Sequence, residues 1–364
     1  MNLENAINTV SFKVGNILYT REYFCSNPDN AFIVRLTANK AKSLTLDVSL
    51  DMLRESVIKA VDNSLEFSGK VSFPKQGPGG VGFMGKVGVT AKDGNVSASN
   101  NKISIADATS VTIILDLRTD YNNKQYKEDC VATVDKALSQ DYNRLKNKHI
   151  SDYSNLFKRV DLFLGKSEAD KLPTDKRWER VKAGKEDIGL DALFFQYARY
   201  LLIAASREDS PLPANLQGIW NDNLACNMGW TNDYHLDINT QQNYWLSNIG
   251  NLHECNVPLF DYIKDLSVYG QKTAGNVYGA RGWAVNTVAN VWGYTASGQG
   301  VNWGLFPLAG SWIASHLWTH YIYTMDVNYL RNKAYPILKS NAEFLLDYMA
   351  VSYTHLRAHE TRRH

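Results

Sequence analysis

One change of hydrophobic period organises this chain. From residue 9 to about residue 120, apolar residues alternate with polar ones or gather in short β-branched runs. From about Val131 they recur at spacings of three and four. A period of two builds strands and a period near 3.6 builds helices, so an all-β part is followed by an all-α part. No strand–helix alternation is present, which excludes a doubly wound parallel sheet.

In the first part Ile17–Tyr19, Phe32–Leu36, Leu44–Leu50 and Val111–Leu117 read as strands. Asn27-Pro28-Asp29, Gly77-Pro78-Gly79-Gly80, Asp93-Gly94 and Asn100-Asn101 supply the turns. Short strands at this density predict a β-sandwich. Val134, Leu138, Tyr142, Leu145, His149, Tyr153, Leu156 and Val160 then form an amphipathic stripe, long enough for one helix or two. Lys166 to Gly184 is charged, contains Pro173 and reads as a linker. Beyond it, helices are expected over a stripe of Leu190, Leu193, Phe194, Tyr197, Leu201 and Ala204, and over Asn239–Ile249, Val257–Tyr269, Ser311–Tyr323 and Asn328–Met349. Long aromatic connections between helices fit an α/α toroid with its site on the loop face.

Composition removes several function classes. Lys and Arg exceed Asp and Glu by 39 − 37 = 2, too balanced for nucleic-acid binding by electrostatics. No contiguous apolar run reaches the ~18 residues of a membrane span, so no membrane insertion is expected. The four cysteines form no CxxC, and no second histidine lies at ligand spacing from His235, so neither a metal nor another cofactor is expected.

Eight of the nine tryptophans lie between Trp220 and Trp318, which directs attention to the loops there. In Asp233-Tyr-His-Leu-Asp-Ile-Asn239 polar and apolar residues alternate. In extended chain Asp233, His235, Asp237 and Asn239 share one face while Tyr234, Leu236 and Ile238 enter the core. A buried polar network is the structural alternative. In Pro211–Asn221 two prolines and a glycine fix a non-helical path that offers Asn215, Gln217, Trp220 and Asn221. Amides beside indole faces suit a sugar, whose hydroxyls need donors and acceptors and whose C–H faces stack on tryptophan. Trp283, Trp292 and Trp303 add aromatic surface. Glycoside cleavage uses two carboxyl groups. Asp237 is one candidate; Glu254 and Glu343 are the nearest others, both in helix-like sequence.

These segments resemble glycoside hydrolase family 95, the α-L-fucosidase and α-L-galactosidase family. The resemblance lies in Leu212–Asn221 (LPANLQGIWN), Trp230–Trp245 (WTNDYHLDINTQQNYW) and Gly279–Thr295 (GARGWAVNTVANVWGYT). Ile17 to Ala38 is similar to the family's N-terminal β domain. The resemblance implies a partial β-sandwich over 1–125, a helical linker over 126–185 and the first part of an (α/α)6 barrel over 186–350. It also implies a metal-free inverting exo-hydrolase of terminal α-L-fucosyl groups, α-1,2 linkages among them, with a glycan as partner and a secreted or periplasmic address. The family's His-x-Asn-x-Asn motif falls on His235, Asp237 and Asn239. His235 would contact the sugar, and Asn239 would orient the attacking water, its amide polarised by a distant aspartate. Asp237 stands where the family has asparagine. It could accept the water's proton or bond a sugar hydroxyl.

The family's general-acid glutamate lies C-terminal to everything matched. The chain is therefore expected to be a fragment cut at both ends, inactive as it stands. Residues 351–364 resemble translated sequencing-adapter sequence and are expected to be non-native. The other readings are a non-catalytic sugar-binding toroid, an α-L-galactosidase, or another toroid enzyme such as a phosphorylase or lyase.

Overall fold

The computed structural model describes residues 1–364 apart from 72–79, 219, 221–231, 299 and 361–364, and apart from the side chains of 350–360. The chain divides into two compact units, Met1–Lys158 and Arg159–His364.

The first unit is built on a seven-stranded antiparallel sheet. Its strands are β1 (Asn8–Val14), β2 (Ile17–Ser26), β3 (Ala31–Ala38), β5 (Val57–Val61), β6 (Ser64–Lys70), β7 (Gly82–Lys92) and β10 (Ser110–Thr119). Their order is β1-β2-β3-β10-β7-β6-β5. The strands β4 (Leu44–Ser49), β8 (Asn95–Ser99) and β9 (Lys102–Ala108) form a second sheet, ordered β4-β9-β8. Alternation along the strands divides the core in two. Leu44, Leu65, Val89, Ile103, Ile105 and Val111 form one apolar cluster, which takes residues of both sheets. Phe24, Ile33 and Ile114 join Val134, Tyr142 and Leu145 in the other.

That second cluster contains helical residues because the stripe from Val134 onward folds as two helices, α1 (Tyr126–Leu138) and α2 (Tyr142–Phe157). The break falls at Ser139–Asp141. There the Asp141 side chain accepts from the Asn143 N–H and caps α2, satisfying a donor that a helix start leaves open. Glu22 on β2 then accepts from the Tyr142 hydroxyl at 2.8 Å and from Lys146 at 2.6 Å. These polar bonds fix α2 against the face its apolar stripe covers.

In the second unit the charged segment around Pro173 is more ordered than a linker. Pro173 directly precedes α3 (Thr174–Lys182), where its missing N–H costs nothing. From α3 the buried Arg177 reaches Asp187 at 2.6 and 2.9 Å and Asp170 at 3.0 Å. Asp187 also accepts from Leu190 N at the start of α4 (Ile188–Ala205). Then follow α5 (Asn239–Ile249), α6 (Val257–Tyr278), α7 (Val301–Gly304), α8 (Ala309–Thr324), α9 (Val327–Tyr329) and α10 (Tyr335–Glu360). A two-stranded ribbon pairs β11 (Tyr234–His235) with β12 (Val288–Ala289). The expected helix from Asn328 is interrupted by one π-helical turn, Leu330–Ala334.

The stripe expected to bury α4 does not do so. Its buried residues are Arg199, Leu202 and Ile203, whereas Phe194 is 73% and Tyr197 41% exposed. The helix is apolar nearly all round, so spacing alone could not choose its inward face. By length and mean hydropathy, 18 residues at 1.2, it is also apolar enough to cross a membrane. Asp191, Gln196 and Arg199 interrupt the contiguous run without making the helix polar on average. We expect α4's open face to bind an apolar dye such as ANS, and Phe194→Asp to reduce the fluorescence gain by about half, given the area one phenyl ring contributes.

Buried histidines make this unit acid-sensitive. Burial pushes His316 down to about 4. Burial, with the nearby His253, does the same to His320. Each is more readily protonated in the unfolded chain, near its ordinary 6.5. Their stability contribution is therefore complete above pH 6.5 and is lost as pH falls from 6.5 towards 4. We expect the unfolding temperature to drop by about 5 °C between pH 7 and pH 5 from His316 alone. In His316→Gln that pH-dependent part should disappear, as calorimetry at the two pH values would show.

Candidate functional site

Three loops expected to carry the site are drawn together at the start of α5. The ribbon sets His235 opposite Val288 and Tyr234 opposite Ala289. Beyond it, Leu236 N–H donates to Thr287 O at 2.7 Å. On the other side Leu216 N–H donates to Asp233 O at 3.0 Å, which joins the Asn215 loop to the same segment. Asn243, one helical turn after Asn239 and on its face of α5, donates from Nδ2 to Asn215 O at 2.9 Å.

Two tyrosines complete the clamp on the Asn215 loop. Tyr234 is buried, lies 4.4 Å from Tyr262 between ring centroids, and donates its hydroxyl to Pro213 O at 3.2 Å. The Tyr244 hydroxyl accepts from Ala214 N–H at 2.8 Å and lies 2.9 Å from Ser206 Oγ. Ser206 in turn donates to Cys255 O at 2.8 Å. Ser206 has one proton to give, so the Tyr244 proton goes to Ser206. Burial raises the Tyr244 phenol well above its ordinary value and keeps that proton in place.

The alternation from Asp233 holds as far as Leu236. Tyr234 and Leu236 are buried, as expected, and His235 between them is buried as well, at 8% exposure. It fails at Ile238, which is 38% exposed rather than buried. The extended segment is only two residues long, and α5 begins at Asn239, so the period changes within the motif. Asp237 is exposed and Asn239 half-buried. Asn239 is the first residue of α5.

In the proline loop, Asn215 Oδ1 accepts from Gln217 N–H at 3.1 Å and Asn215 O accepts from Gly218 N–H at 3.1 Å. The Asn215 side chain thus shapes its own turn. Gly218 has φ +65°, and a Cβ there would fall 2.4 Å from the Trp220 ring, so glycine is required twice over. Gln217 is half-buried and Trp220 is 40% exposed. Asn221 lies outside the described residues.

The tryptophans separate into two kinds. Trp292 is 64% and Trp303 56% exposed. Trp292 follows β12 in a turn whose N–H groups at Trp292 and Tyr294 are held by Asn290 Oδ1 at 3.0 and 3.2 Å. Trp303 lies on α7; the segment that follows it is tied back by Phe306 N–H to Asn286 Oδ1 at 3.1 Å. Trp283, expected as sugar-binding surface, is fully buried. Its indole N–H donates to Ile337 O at 3.0 Å, and Asn341 donates to Trp283 O at 3.2 Å. The preceding Gly282 has φ +68°, and a Cβ there would lie 1.9 Å from Ser340 O. Close approach of this loop to α10 places Trp283 in the core, out of a sugar's reach.

The carboxyl groups also sort themselves. Glu254 is held by Arg159 at 2.7 and 2.9 Å. Burial pulls its carboxyl up, but the Arg159 bonds outweigh this and hold it below the usual carboxylate value. A general acid needs the opposite shift, so Glu254 does not fit that role. Sequence reasoning missed Asn243 and Tyr244 as organisers of the site. Their spacing from Asn239 on one helix was the available signal. Among the described residues no group of three His, Cys, Asp or Glu side chains could hold a metal ion.

Residues 141–359 match the Glycosyl hydrolase family 95 catalytic domain. The chain belongs to glycosyl hydrolase family 95. Residues 1–124 match the N-terminal domain of glycosyl hydrolase family 65. Among curated relatives, Alpha-L-fucosidase 2 of Arabidopsis thaliana is 34% identical over 383 residues, covering 96% of this chain and 45% of that protein. A protein of Aspergillus niger named as an alpha-fucosidase A is 29% identical, covering 95% of this chain and 45% of its own. The family 95 chain thus spans just under half the length of these relatives. A solved structure named as a kojibiose phosphorylase from the human microbiome superposes with TM-score 0.62 at 12% identity, over 95% of this chain and 45% of that one. That likeness concerns the fold: a β domain followed by helices of an α/α toroid.

Loop positioning by Tyr244 is measurable. We expect Tyr244→Phe to cost about 2 kcal/mol, because Ala214 N–H and Ser206 both lose a buried partner. Urea unfolding of the two proteins side by side would show it.

Proposed function

We propose that this chain supplies the β domain and the water-side half of the active site of an inverting exo-α-L-fucosidase. The observation that carries the proposal is the gathering of His235, Asp237 and Asn239 at the start of α5 by β11–β12 pairing and the Asn243–Asn215 bond. The names of the two curated relatives support the choice of sugar. Inversion places a water on the face of the ring opposite the leaving group, with separate groups serving the water and the leaving oxygen. Asn239 orients that water through its amide. His235 contacts the sugar. Asp237, exposed beside Asn239, accepts either the water's proton or a sugar hydroxyl. Trp220, Trp292 and Trp303 offer exposed indole surfaces on which sugar rings could stack, and Asn215 and Gln217 lie on the loop that leads to Trp220.

The leaving oxygen needs an acid. Asp237 stands beside Asn239 on the water's side, and Glu254 is bound to Arg159. We therefore propose that the 364-residue chain alone turns over poorly, since acid–base assistance is worth about 10²–10⁴-fold per group. The test is release of fucose from 2′-fucosyllactose by a form extended to the relatives' length. We expect release, loss of at least about 10²-fold in kcat on Asn239→Ala, and little release by the 364-residue chain. Hydrolysis of L-galactosides in place of fucosides would overturn the choice of sugar. Full activity in Asn239→Ala would overturn the role of Asn239.

A further inference from the structure

We infer that the groove between α6 and α10 is a binding site for a small organic anion with an apolar body. It shares no residue with the candidate site at the start of α5, and the inference is independent of the fucosidase reading.

The groove has a volume of 340 Å³, at the small end of ligand sites, which span about 300–1,000 Å³. A single turn of helix occupies about 400 Å³, from a diameter of about 10 Å and a pitch of about 5.4 Å. The space therefore suits one small molecule and not a docked helix. Its floor is apolar because three helices meet there. Phe260 of α6, Leu317 of α8 and Ile337 of α10 are all buried. Phe260 is packed against the rings of His320 and Tyr329, at centroid distances of 5.0 and 5.5 Å, which keeps the floor in shape.

The walls are two helix faces. On α6, Lys264 and Ser267 line the groove one turn apart. The facing wall starts in the π-helical turn Leu330–Ala334, closed by Tyr335 N–H donating to Leu330 O. That turn carries Asn332 and Lys333, which line the groove. The extra residue widens the helix at this point. Such turns are rare and occur frequently at functional sites.

Charge decides the class of ligand. Lys264 and Lys333 stand on opposite walls, and Asp261 is the one carboxylate that lines the groove, a balance of 2 − 1 = +1. Among the described residues neither ammonium has a hydrogen-bond or salt-bridge partner. Both are charged at neutral pH, and both are open to a charge-assisted bond from a carboxylate or phosphate oxygen. Pro336 and the methylene stems of the lysines extend apolar surface up the walls. A bare inorganic ion would leave that surface wet; an anion with an apolar body covers it.

The test titrates the 364-residue chain calorimetrically with 3-phenylpropionate and with 3-phenylpropanol, which share a body and differ in charge. We expect the acid to bind with a Kd on the order of 1 mM and the alcohol about tenfold more weakly. Lys264→Gln combined with Lys333→Gln should bring the acid to the alcohol's level. Ser267→Trp places an indole in the groove and should weaken both ligands at least about tenfold, which separates this groove from the open face of α4. Each variant should unfold within about 2 °C of wild type. Equal binding of acid and alcohol by the wild type overturns the inference. So does acid binding that is unchanged in the double lysine variant or in Ser267→Trp. Should the lysine variant fail to fold, the wild-type pair and Ser267→Trp still decide.

Discussion

The candidate site depends on a buried cation at the far end of the helix that carries it. Arg199 has no solvent exposure, and a guanidinium without water must have its donors filled by protein. It donates to Val160 O at 3.0 Å, to Gln196 Oε1 at 2.9 Å and to Gly250 O at 3.2 Å. Gly250 follows the last residue of α5, where unpaired carbonyls and the helix dipole favour a cation. Val160 belongs to the segment by which the chain enters this unit. One side chain therefore fixes α5 along its axis against both α4 and the incoming strand of chain. Asn239 lies about 16 Å away at the other end of α5, from eleven residues at about 1.5 Å each. A shift of α5 by one turn would move Asn239, Asn243 and Tyr244 together. The Asn215 loop, which hangs on the last two, would move with them.

Fixing α5 explains why so little of the site is built from loops bonding to loops. Asn243 and Tyr244 hold the Asn215 segment, and Gln241 donates to Leu236 O at 2.7 Å from the same helix. The His235 ribbon then needs only two residues of pairing, because its ends are already held. Buried asparagines do similar work further on. Asn286 accepts from the Tyr278 hydroxyl at 3.0 Å and donates to Thr295 O at 3.2 Å. Asn290 Oδ1 likewise holds the Trp292 and Tyr294 N–H groups.

The strands and helices were legible because each obeys a single period over its whole length. Val111 and Ile113 separate from Ile114 on β10 as alternation requires, and α5 runs from Asn239 to Ile249 as its stops predict. The parts that were not legible are those where one period gave no answer. Nothing in α4 distinguishes Phe194 from Leu202 by spacing, so Arg199 and its carbonyl partners decide which face is buried. Between Asp233 and Asn239 a strand hands over to a helix inside seven residues, and Ile238 falls where neither period governs. The tryptophan cluster likewise marked a region rather than a set of ligands. Trp283 differs from Trp292 only in what surrounds it: Gly282 admits the backbone of α10, and Ile337 O waits for the indole proton.

Separating buried from exposed polar groups also clarifies what the site can do. Glu254 is held by Arg159, and the side chains of Asn215, Asn243 and Asn286 each bond to the fold. That leaves Asp237 and Asn239 with no side-chain hydrogen bond among the described residues, close to His235, whose Nε2 lies 2.9 Å from Asp233 Oδ1. A site whose structural amides are satisfied internally can keep its remaining polar groups unpaired until substrate arrives. Their desolvation is then offset by bonds to the sugar and the water instead of being lost to the protein.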